Sequence, residues 1–354
     1  MDRIFRSVIL GAGTALVMVI AVFGVISVAR PGWLRLLFRN PVAIAVDASG
    51  VVAPTEVGAP TAEPLPSPGA GGFCGAPEQM TLAILGVDDR IGDYSVPSRT
   101  DALMFANLRF AEREAGVLSV PRDLWVAQAN VEITGISEDR INLAYIYGEN
   151  YDVPGGGGGQ LKATVAGNFG FNVDRYVLVN FDAFIRFVDA LGGIDVDVPK
   201  AIYDSQFPAQ EGDGTIVFEL EPGLQHMDGL TALRYARTRH QDSDYERIKR
   251  QQLVALAIRD RVFSGDGLTR LPALLAALRG SVRTDLSPEE IAMLLCAGPQ
   301  ISRESIGTYA IDGDYVIPWT SPGGGSVSLP NRETIGPLID GFLGRDALEG
   351  ADVP

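Results

Sequence analysis

The sequence predicts a three-layer α/β/α domain with a mixed central sheet, preceded by one N-terminal transmembrane helix. Ser7–Ala29 is an uncharged, almost wholly apolar run, and about 20 such residues are enough to span a bilayer core. Pro41–Gly72 is rich in Pro, Gly, Ala, Ser and Thr, a composition typical of a semi-extended linker that buries too little apolar surface to fold. Beyond residue 80, short β-type runs alternate with helical patterns, which predicts helices on both faces of a sheet.

The N-terminal apolar run has two interpretations. Ser27-Val28-Ala29 resembles a small-residue cleavage site, as in a signal peptide. The apolar region of a signal peptide usually has only about 7–15 residues, so the longer run favours an uncleaved anchor. Arginines stand on both sides of the run (Arg3, Arg6, Arg30, Arg35 and Arg39). The positive-inside rule therefore does not orient it.

Beyond residue 80, hydrophobic periodicity and capping residues predict the strands and helices of the chain. The predicted strands are Thr81–Val87, Ala102–Arg109, Gly116–Val120, Tyr176–Val179, Ile194–Val198 and Ser305–Ile311. The predicted helices are Gln160–Phe169, Asp182–Leu191, Asp228–Tyr235, Asp244–Phe263, Leu268–Arg279, Pro288–Cys296 and Glu333–Leu343. Asp182 is the predicted cap of its helix. Gly155–Gly159 is predicted to be a flexible surface loop, because a phosphate-binding loop needs Lys directly after its final Gly.

Composition excludes several classes of function. The chain has 354 residues and a net charge of −15, whereas a general nucleic-acid binder needs a basic surface. Two cysteines and two histidines lack the spacing of a zinc site. Cys74 and Cys296 are candidates for one disulfide if the body is exported to an oxidising compartment. Otherwise Cys296, within an apolar helix pattern, is a buried inert thiol.

A dense basic segment stands out in this acidic chain. Its members are Arg234, Arg237, Arg239, Arg247, Lys249 and Arg250. Arg237 and Arg239 point to one side if the chain is extended there, and Arg247 shares a helix face with Gln251. Guanidinium groups suit phosphate because they donate paired hydrogen bonds and stay charged. The alternative is a solvated helix held by pairs such as Asp244/Lys249 or Glu246/Arg250.

A second charged cluster lies where strands begin and end. Asp88 follows the first strand, Arg99 and Asp101 precede the second, and Arg122 follows the third. Ligands of α/β proteins bind beyond the carboxyl ends of the strands. Carboxylates there are suited to Mg²⁺, which commonly bridges substrate phosphates. Together the two clusters indicate phosphate chemistry.

Seven ordered blocks resemble the LytR–CpsA–Psr family over roughly Met80–Phe263. They are LGVDDR, SRTDALM, SVPRDLWV, DRINLAYIYG, DRYVLVNFDAFIRFVDALGGIDVDVP, GLQHMDGLTALRYARTRH and DYERIKRQQ. The resemblance implies a bacterial, single-pass membrane protein whose catalytic domain faces outward. It also implies an Mg²⁺-dependent phosphotransferase that moves a phospho-linked glycopolymer from a polyprenyl-pyrophosphate carrier to peptidoglycan.

The resemblance also implies roles for individual residues. Asp88 and Asp101 fall where the family holds the metal. The pyrophosphate-binding positions are Arg99, Arg122, Arg237, Arg239, Arg247 and Gln251, with Arg140 at a place often held by Lys. Of these, Arg99, Arg122, Arg237 and Arg239 are expected to be catalytic by stabilising charge, and Asp101 is also a candidate base for the acceptor hydroxyl.

The lipid tail needs an apolar cavity. Its candidate lining, which is equally compatible with plain core, is Phe169, Phe181, Phe184, Phe187, Val188, Leu230 and Leu233. The expected organisation is an anchor at 1–30, a tether at 31–79, the catalytic domain at 80–265 and a packed C-terminal extension at 266–354. A lipid-pyrophosphate scaffold without turnover and a lipid pyrophosphatase remain alternatives from the same residues.

Overall fold

A computed structural model describes residues 73–87, 99–209, 214–238, 244–263, 270 and 282–345. The described residues do not include the predicted anchor, most of the tether, Asp88, Arg239 or, apart from Arg270, the predicted helix Leu268–Arg279. Within the described part of the chain, no helix has the length and apolar character that a membrane crossing requires.

A six-stranded mixed sheet forms the centre of the fold. Its strands are β1 (Gln79–Val87), β2 (Thr100–Arg109), β3 (Glu114–Val120), β6 (Arg175–Asn180), β11 (Val282–Thr284) and β12 (Ile306–Ala310). Their order is β11-β6-β1-β2-β3-β12. Strand β1 is parallel to β6, and β3 is parallel to β12, whereas β2 is antiparallel to both β1 and β3. The carboxyl ends of β1, β3, β6 and β12 therefore lie at the same edge as the start of β2.

Strand β1 shows how the sequence builds this sheet. Leu82 and Ile84 pack into one core, and Ala83 and Leu85 pack into the other. Because successive side chains of a strand point to opposite faces, a strand covered on both sides reads as a continuous apolar run.

Helices cover both faces of the sheet. They are α1 (Val131–Thr134), α2 (Ala144–Asn150), α3 (Gly156–Phe169), α4 (Phe181–Ala190), α5 (Gly229–Arg237), α6 (Asp244–Phe263), α7 (Pro288–Ala297) and α8 (Ile335–Leu343). Helices α4 to α7 supply one core, and α2, α3 and α8 supply the other. The predicted α/β class with a mixed central sheet is confirmed.

Four two-stranded sheets surround the centre. Their strands are β4 (Trp125–Ala127), β5 (Glu138–Arg140), β7 (Ile194–Val198), β8 (Ile202–Pro208), β9 (Thr215–Leu220), β10 (Gly223–Met227), β13 (Val316–Thr320) and β14 (Ser326–Pro330). The pairs are β4 with β5, β7 with β10, β8 with β9 and β13 with β14.

The prediction of a surface loop at Gly155–Gly159 was wrong. Helix α3 begins at Gly156, and Gly157 and Gly158 are buried. A Cβ on Gly158 would stand 2.3 Å from the Tyr176 ring, and one on Gly157 would stand 2.6 Å from a backbone oxygen. Because glycine has no Cβ, α3 can pack closely against α2 and β6. The glycines therefore serve close packing and not flexibility.

The helix after β6 is also capped differently from the prediction. The Asn180 side chain accepts a hydrogen bond from the Ala183 backbone N–H at 2.8 Å, so Asn180 is the N-cap of α4. Asp182 lies in the first turn instead, where a carboxylate still favours the positive end of the helix dipole.

The outer segments of the body are integral to the fold. Cys74 and Cys296 form a disulfide with a Cα–Cα distance of 5.8 Å. Ala76 is buried in the core, so the last residues assigned to the tether pack on the body. Both edge strands of the central sheet, β11 and β12, come from beyond residue 265. The segment set apart as a C-terminal extension therefore completes the sheet.

Candidate active site

Asp101 and Arg122 meet at the carboxyl edge of the sheet. Arg122 Nη1 lies 2.9 Å from Asp101 Oδ1, and the two side chains are 27% and 31% exposed. The β1–β2 register passes from Gly86↔Ala102 to Val87↔Thr100, which leaves Asp101 as the extra residue of a bulge. A bulge redirects the side chain it carries, and here that carboxylate meets Arg122, the second residue after the end of β3.

Arg99 lies beside a tyrosine–aspartate pair at the same edge. The Tyr147 hydroxyl donates a 2.5 Å hydrogen bond to Asp139 Oδ2. Burial, then this hydrogen bond, raises the pKa of Tyr147, whereas the nearby charge of Arg99 opposes the shift. Arg99 is exposed, so its guanidinium is open to an anion from solvent.

Helix α5 continues two residues beyond the predicted end at Tyr235, and Arg237 is its last residue. The extended conformation considered for Arg237 and Arg239 therefore does not apply to Arg237. Its guanidinium carbon lies 4.2 Å from the centroid of the Phe181 ring and 5.9 Å from that of Phe207. Phe181 directly follows the end of β6. The aromatic contact therefore brings Arg237 to the same sheet edge as Asp101 and Arg122.

Thr238 is bound from two sides. Its hydroxyl donates a 2.6 Å hydrogen bond to Asp204, which is 1% exposed, and its carbonyl accepts a hydrogen bond from the Arg250 guanidinium. Arg250 is buried and not a solvated partner of Glu246, which instead pairs with Lys249 at 2.9 Å. These buried contacts fix the chain directly after Arg237.

Helix α6 joins the two charged clusters. The Gln252 amide donates a 3.0 Å hydrogen bond to the Ser119 hydroxyl near the end of β3. Arg247 lies in the first turns of the same helix and is 6% exposed. Gln251 donates to the Ala236 carbonyl at 3.4 Å, so it also supports the end of α5. The amino-terminal turns of α6, where backbone N–H groups favour anions, thus stand at the site.

Arg140 faces the β13–β14 turn. A Cβ on Gly325 would stand 2.5 Å from Arg140 Nη2, so the guanidinium lies close against this glycine. The Arg140 carbonyl also accepts a hydrogen bond from Gln128. Asp88 and Arg239 lie outside the described residues, so their predicted roles stay predictions.

The candidate lipid-tail residues are divided between the two cores. Phe184, Phe187, Val188 and Leu233 share one core, with Phe181 packed against it, and Leu230 is half-buried. Phe169 belongs to the other core, where its ring stacks on Phe171 at 6.3 Å. The sheet separates Phe169 from the rest, so its inclusion in one common lining was wrong.

Asp312 is a residue at this edge that the sequence analysis missed. It follows β12 at the carboxyl edge, and its Oδ2 is buried with no hydrogen-bond partner among the described residues. Burial raises the pKa of Asp312 to about 6, with Lys249 opposing and Asp314 adding to the shift. The turn around it carries no recognisable motif, and only the burial, which sequence does not reveal, distinguishes it.

We expect Asp312→Asn to stabilise the protein at pH 7.5 and not at pH 4. A raised carboxyl pKa means that the folded state holds the proton more tightly than the unfolded state. Stability is therefore lost as the pH rises from about 4 through about 6. After discounting for solvent screening, the penalty is about 1 kcal/mol, or roughly 2–4 °C in Tm. Thermal unfolding at both pH values measures it, with the exposed Glu219→Gln as the unchanged control. An equal gain at both pH values would contradict the ionisation argument.

Asp101 offers suitable chemistry for a divalent cation. It supplies hard carboxylate oxygens, and one of them is already bound to Arg122. Mg²⁺ is usually held by one or two carboxylates together with substrate phosphates and water. The described residues contain no group of three or more His, Cys, Asp or Glu side chains gathered as metal ligands, and the second predicted ligand, Asp88, lies beyond them.

Comparisons with known proteins identify relatives of this chain. Two relatives carry the name polyisoprenyl-teichoic acid–peptidoglycan teichoic acid transferase TagU. That of Oceanobacillus iheyensis is 31% identical over 67% of this chain, and that of Halalkalibacterium halodurans is 34% identical over 60%. These alignments span 68% and 62% of the relatives' own lengths.

A solved structure, TagT bound to LI-WTA, has a TM-score of 0.55 and 26% identity, and the match covers 75% of this chain and 91% of that one. The LytR_cpsA_psr family model matches residues 70–324. The chain therefore belongs to the LytR–CpsA–Psr family.

Proposed function

We propose that this protein transfers a phosphate-linked glycopolymer from a polyprenyl-pyrophosphate carrier to peptidoglycan. Glycopolymer transfer to peptidoglycan is what the names of its TagU relatives describe, and TagT is described as bound to LI-WTA. We extend this to an outward-facing domain on a single N-terminal anchor, as the apolar run Ser7–Ala29 predicts.

One observation carries the proposal. Arg122 and Arg237 reach one sheet edge from two separate parts of the chain, and Gln252 of α6 is bonded to Ser119 near the end of β3 at that edge. A convergence of guanidinium groups is costly through mutual repulsion unless an anion lies between them. A pyrophosphate is an anion of suitable charge and geometry for such forks.

In this mechanism the arginines stabilise the negative charge of the phosphate groups. Phosphoryl transfer needs little covalent help from a protein, and positioning with charge stabilisation supplies most of the rate. Arg99 and Arg122 hold the transferring phosphate, and Arg237 with Arg247 stabilises charge on the departing polyprenyl phosphate. A peptidoglycan hydroxyl attacks the phosphorus next to the glycan, polyprenyl phosphate leaves with the bridging oxygen, and Asp101 accepts the hydroxyl proton.

A magnesium ion belongs to this proposal as a cofactor. Asp101 and Asp88 would hold it, and the bound ion would neutralise phosphate charge. The tail of the carrier lies against the apolar core formed by Phe184, Phe187 and Leu233, in line with the hydrophobic lining that an isoprenoid chain needs.

Turnover with defined substrates tests the proposal. The full-length protein in detergent receives a polyprenyl-pyrophosphoryl oligosaccharide, soluble peptidoglycan strands and MgCl₂. We expect a new phosphodiester to peptidoglycan with one polyprenyl phosphate released per link, detected by mass spectrometry. Omission of the strands should stop the release.

Two results would reject transfer. Release that continues at the same rate without acceptor identifies a lipid pyrophosphatase. Stoichiometric lipid binding with no release, under conditions where a TagU protein turns over, identifies a scaffold.

A further inference from the structure

Two tryptophans lie together on the surface, outside the cluster of arginines. Trp125 of β4 and Trp319 of β13 have ring centroids 5.6 Å apart at an interplanar angle of 63°. Trp319 is 37% exposed, and Ile317 on the same strand is 49% exposed. An exposed tryptophan offers a large apolar face together with a polar N–H group, and exposed apolar patches mark interaction sites. We call Trp125 and Trp319 the tryptophan pair.

The fold builds the tryptophan pair from two distant segments. The Ser328 backbone N–H donates to the Asp123 carbonyl at 3.3 Å, and Leu124 forms a β-bridge with Ser328. These bonds hold the β13–β14 hairpin beside β4. Trp319 faces Val327 across that hairpin, so its position is set by backbone pairing rather than by chance surface contact.

The tryptophan pair is continuous with the candidate active site. Trp125 follows Arg122 by three residues, so their Cα atoms are at most about 11 Å apart. Trp125 also stands directly opposite Arg140 in the β4–β5 register. The Arg140 guanidinium lies against Gly325 in the turn of the hairpin that carries Trp319. The tryptophan pair therefore lies close to Arg122 and Arg140.

The chemistry of the surface suits a sugar chain. A pyranose ring has an apolar C–H face that packs on an indole face by dispersion, and its hydroxyl groups need polar partners at the rim. Glu138 Oε2, 3.4 Å from Trp125 Nε1, and the Arg140 guanidinium are such partners. The Glu138 carboxylate beside Trp125 disfavours a phosphate-rich polymer on these rings.

We propose that the tryptophan pair is the subsite that binds the glycan strand of the peptidoglycan acceptor. The inference rests on the proposed function and specifies how that function selects its acceptor. Sugar rings packed on the indole faces would hold the peptidoglycan strand, so that one of its hydroxyl groups reaches the phosphate beside Arg122.

Binding and kinetics of matched variants test this subsite. Full-length protein in detergent is titrated with soluble, uncrosslinked peptidoglycan strands and, separately, with a polyphosphodiester glycopolymer. We expect Trp319→Ala to weaken the binding of peptidoglycan strands at least tenfold, as for an aromatic anchor of an interface. The KM for the peptidoglycan acceptor should rise by a similar factor, and the KM for the lipid-linked donor should stay unchanged. Leu224→Ala is the control, since Leu224 is 74% exposed on β10 and should leave both constants unchanged.

Each other outcome has one meaning. Unchanged strand affinity and acceptor KM in Trp319→Ala, with a wild-type protein that transfers, would overturn the subsite and leave the function standing. If peptidoglycan binding depends on Trp319 but the wild-type protein never transfers the glycopolymer, the subsite would be supported and the proposed function rejected. A loss of polyphosphodiester binding alone would overturn the subsite, because the donor polymer would then be its occupant.

Discussion

Replacing Arg237 and Arg239 with alanine should abolish measurable transfer while the protein stays folded. Arg237 rests on the Phe181 ring at the end of β6, so truncation removes charge from the site and leaves the hydrogen bonds of the Thr238 hydroxyl and carbonyl in place. Loss of one preorganised charge-stabilising donor typically costs about 10²–10³ in rate. The single variant Arg237→Ala should show a loss of that order, and the double variant a larger one. Initial rates of polyprenyl phosphate release measure both.

A matched arginine outside the site separates this effect from a general change of charge. Arg345 is 53% exposed and lies 3.6 Å from Asp340 just after α8. Arg345→Ala should transfer at the wild-type rate. Full activity of the double variant, with circular dichroism like that of the wild type, would remove Arg237 and Arg239 from the pyrophosphate site.

Removing the disulfide should cause the largest loss of stability. Cys74 and Cys296 are 222 residues apart in sequence, so the bridge closes a long loop and restricts the unfolded chain strongly. Such a bridge contributes about 2–5 kcal/mol, which corresponds to a fall in Tm of roughly 10 °C. Thermal unfolding of Cys74→Ser/Cys296→Ser should show this fall.

Reduction provides the control for the cysteine variant. Dithiothreitol should lower the Tm of the wild type to that of the double serine variant and have no further effect on the variant. A Tm that does not respond to the reductant would contradict a stabilising bridge in the native protein.

Periodicity predicted the elements that pack against the central sheet. Residues 81–87 are nearly all apolar because both faces of β1 are covered, and the helix predicted over Asp228–Tyr235 is present as α5, with Asp228 as its N-cap. Both signals are local, since burial and capping act within a few residues. The position of Arg122 just beyond the end of β3 followed from the predicted strand for the same reason.

Tertiary contacts decided the features that the sequence left open. Gly155–Gly159 reads as a loop by composition, yet the close approach of Tyr145 and Tyr176 places most of it in α3. The Asp101 bulge depends on pairing with β1. The contact of Thr238 with Asp204 joins residues 34 apart. The burial of Asp312 and the β13–β14 hairpin also depend on neighbours that no local pattern identifies.

The strand order has a consequence for how the polypeptide is made. Strand β12 pairs with β3, more than 180 positions earlier in the chain, and the other edge strand, β11, also comes late. During synthesis β1, β2 and β3 are made long before β11 and β12, so the edges of the sheet are unpaired at first. Such open edges can pair with neighbouring chains. Contacts this distant in sequence also slow folding. We expect the nascent protein to need chaperone protection until its last hundred residues have emerged.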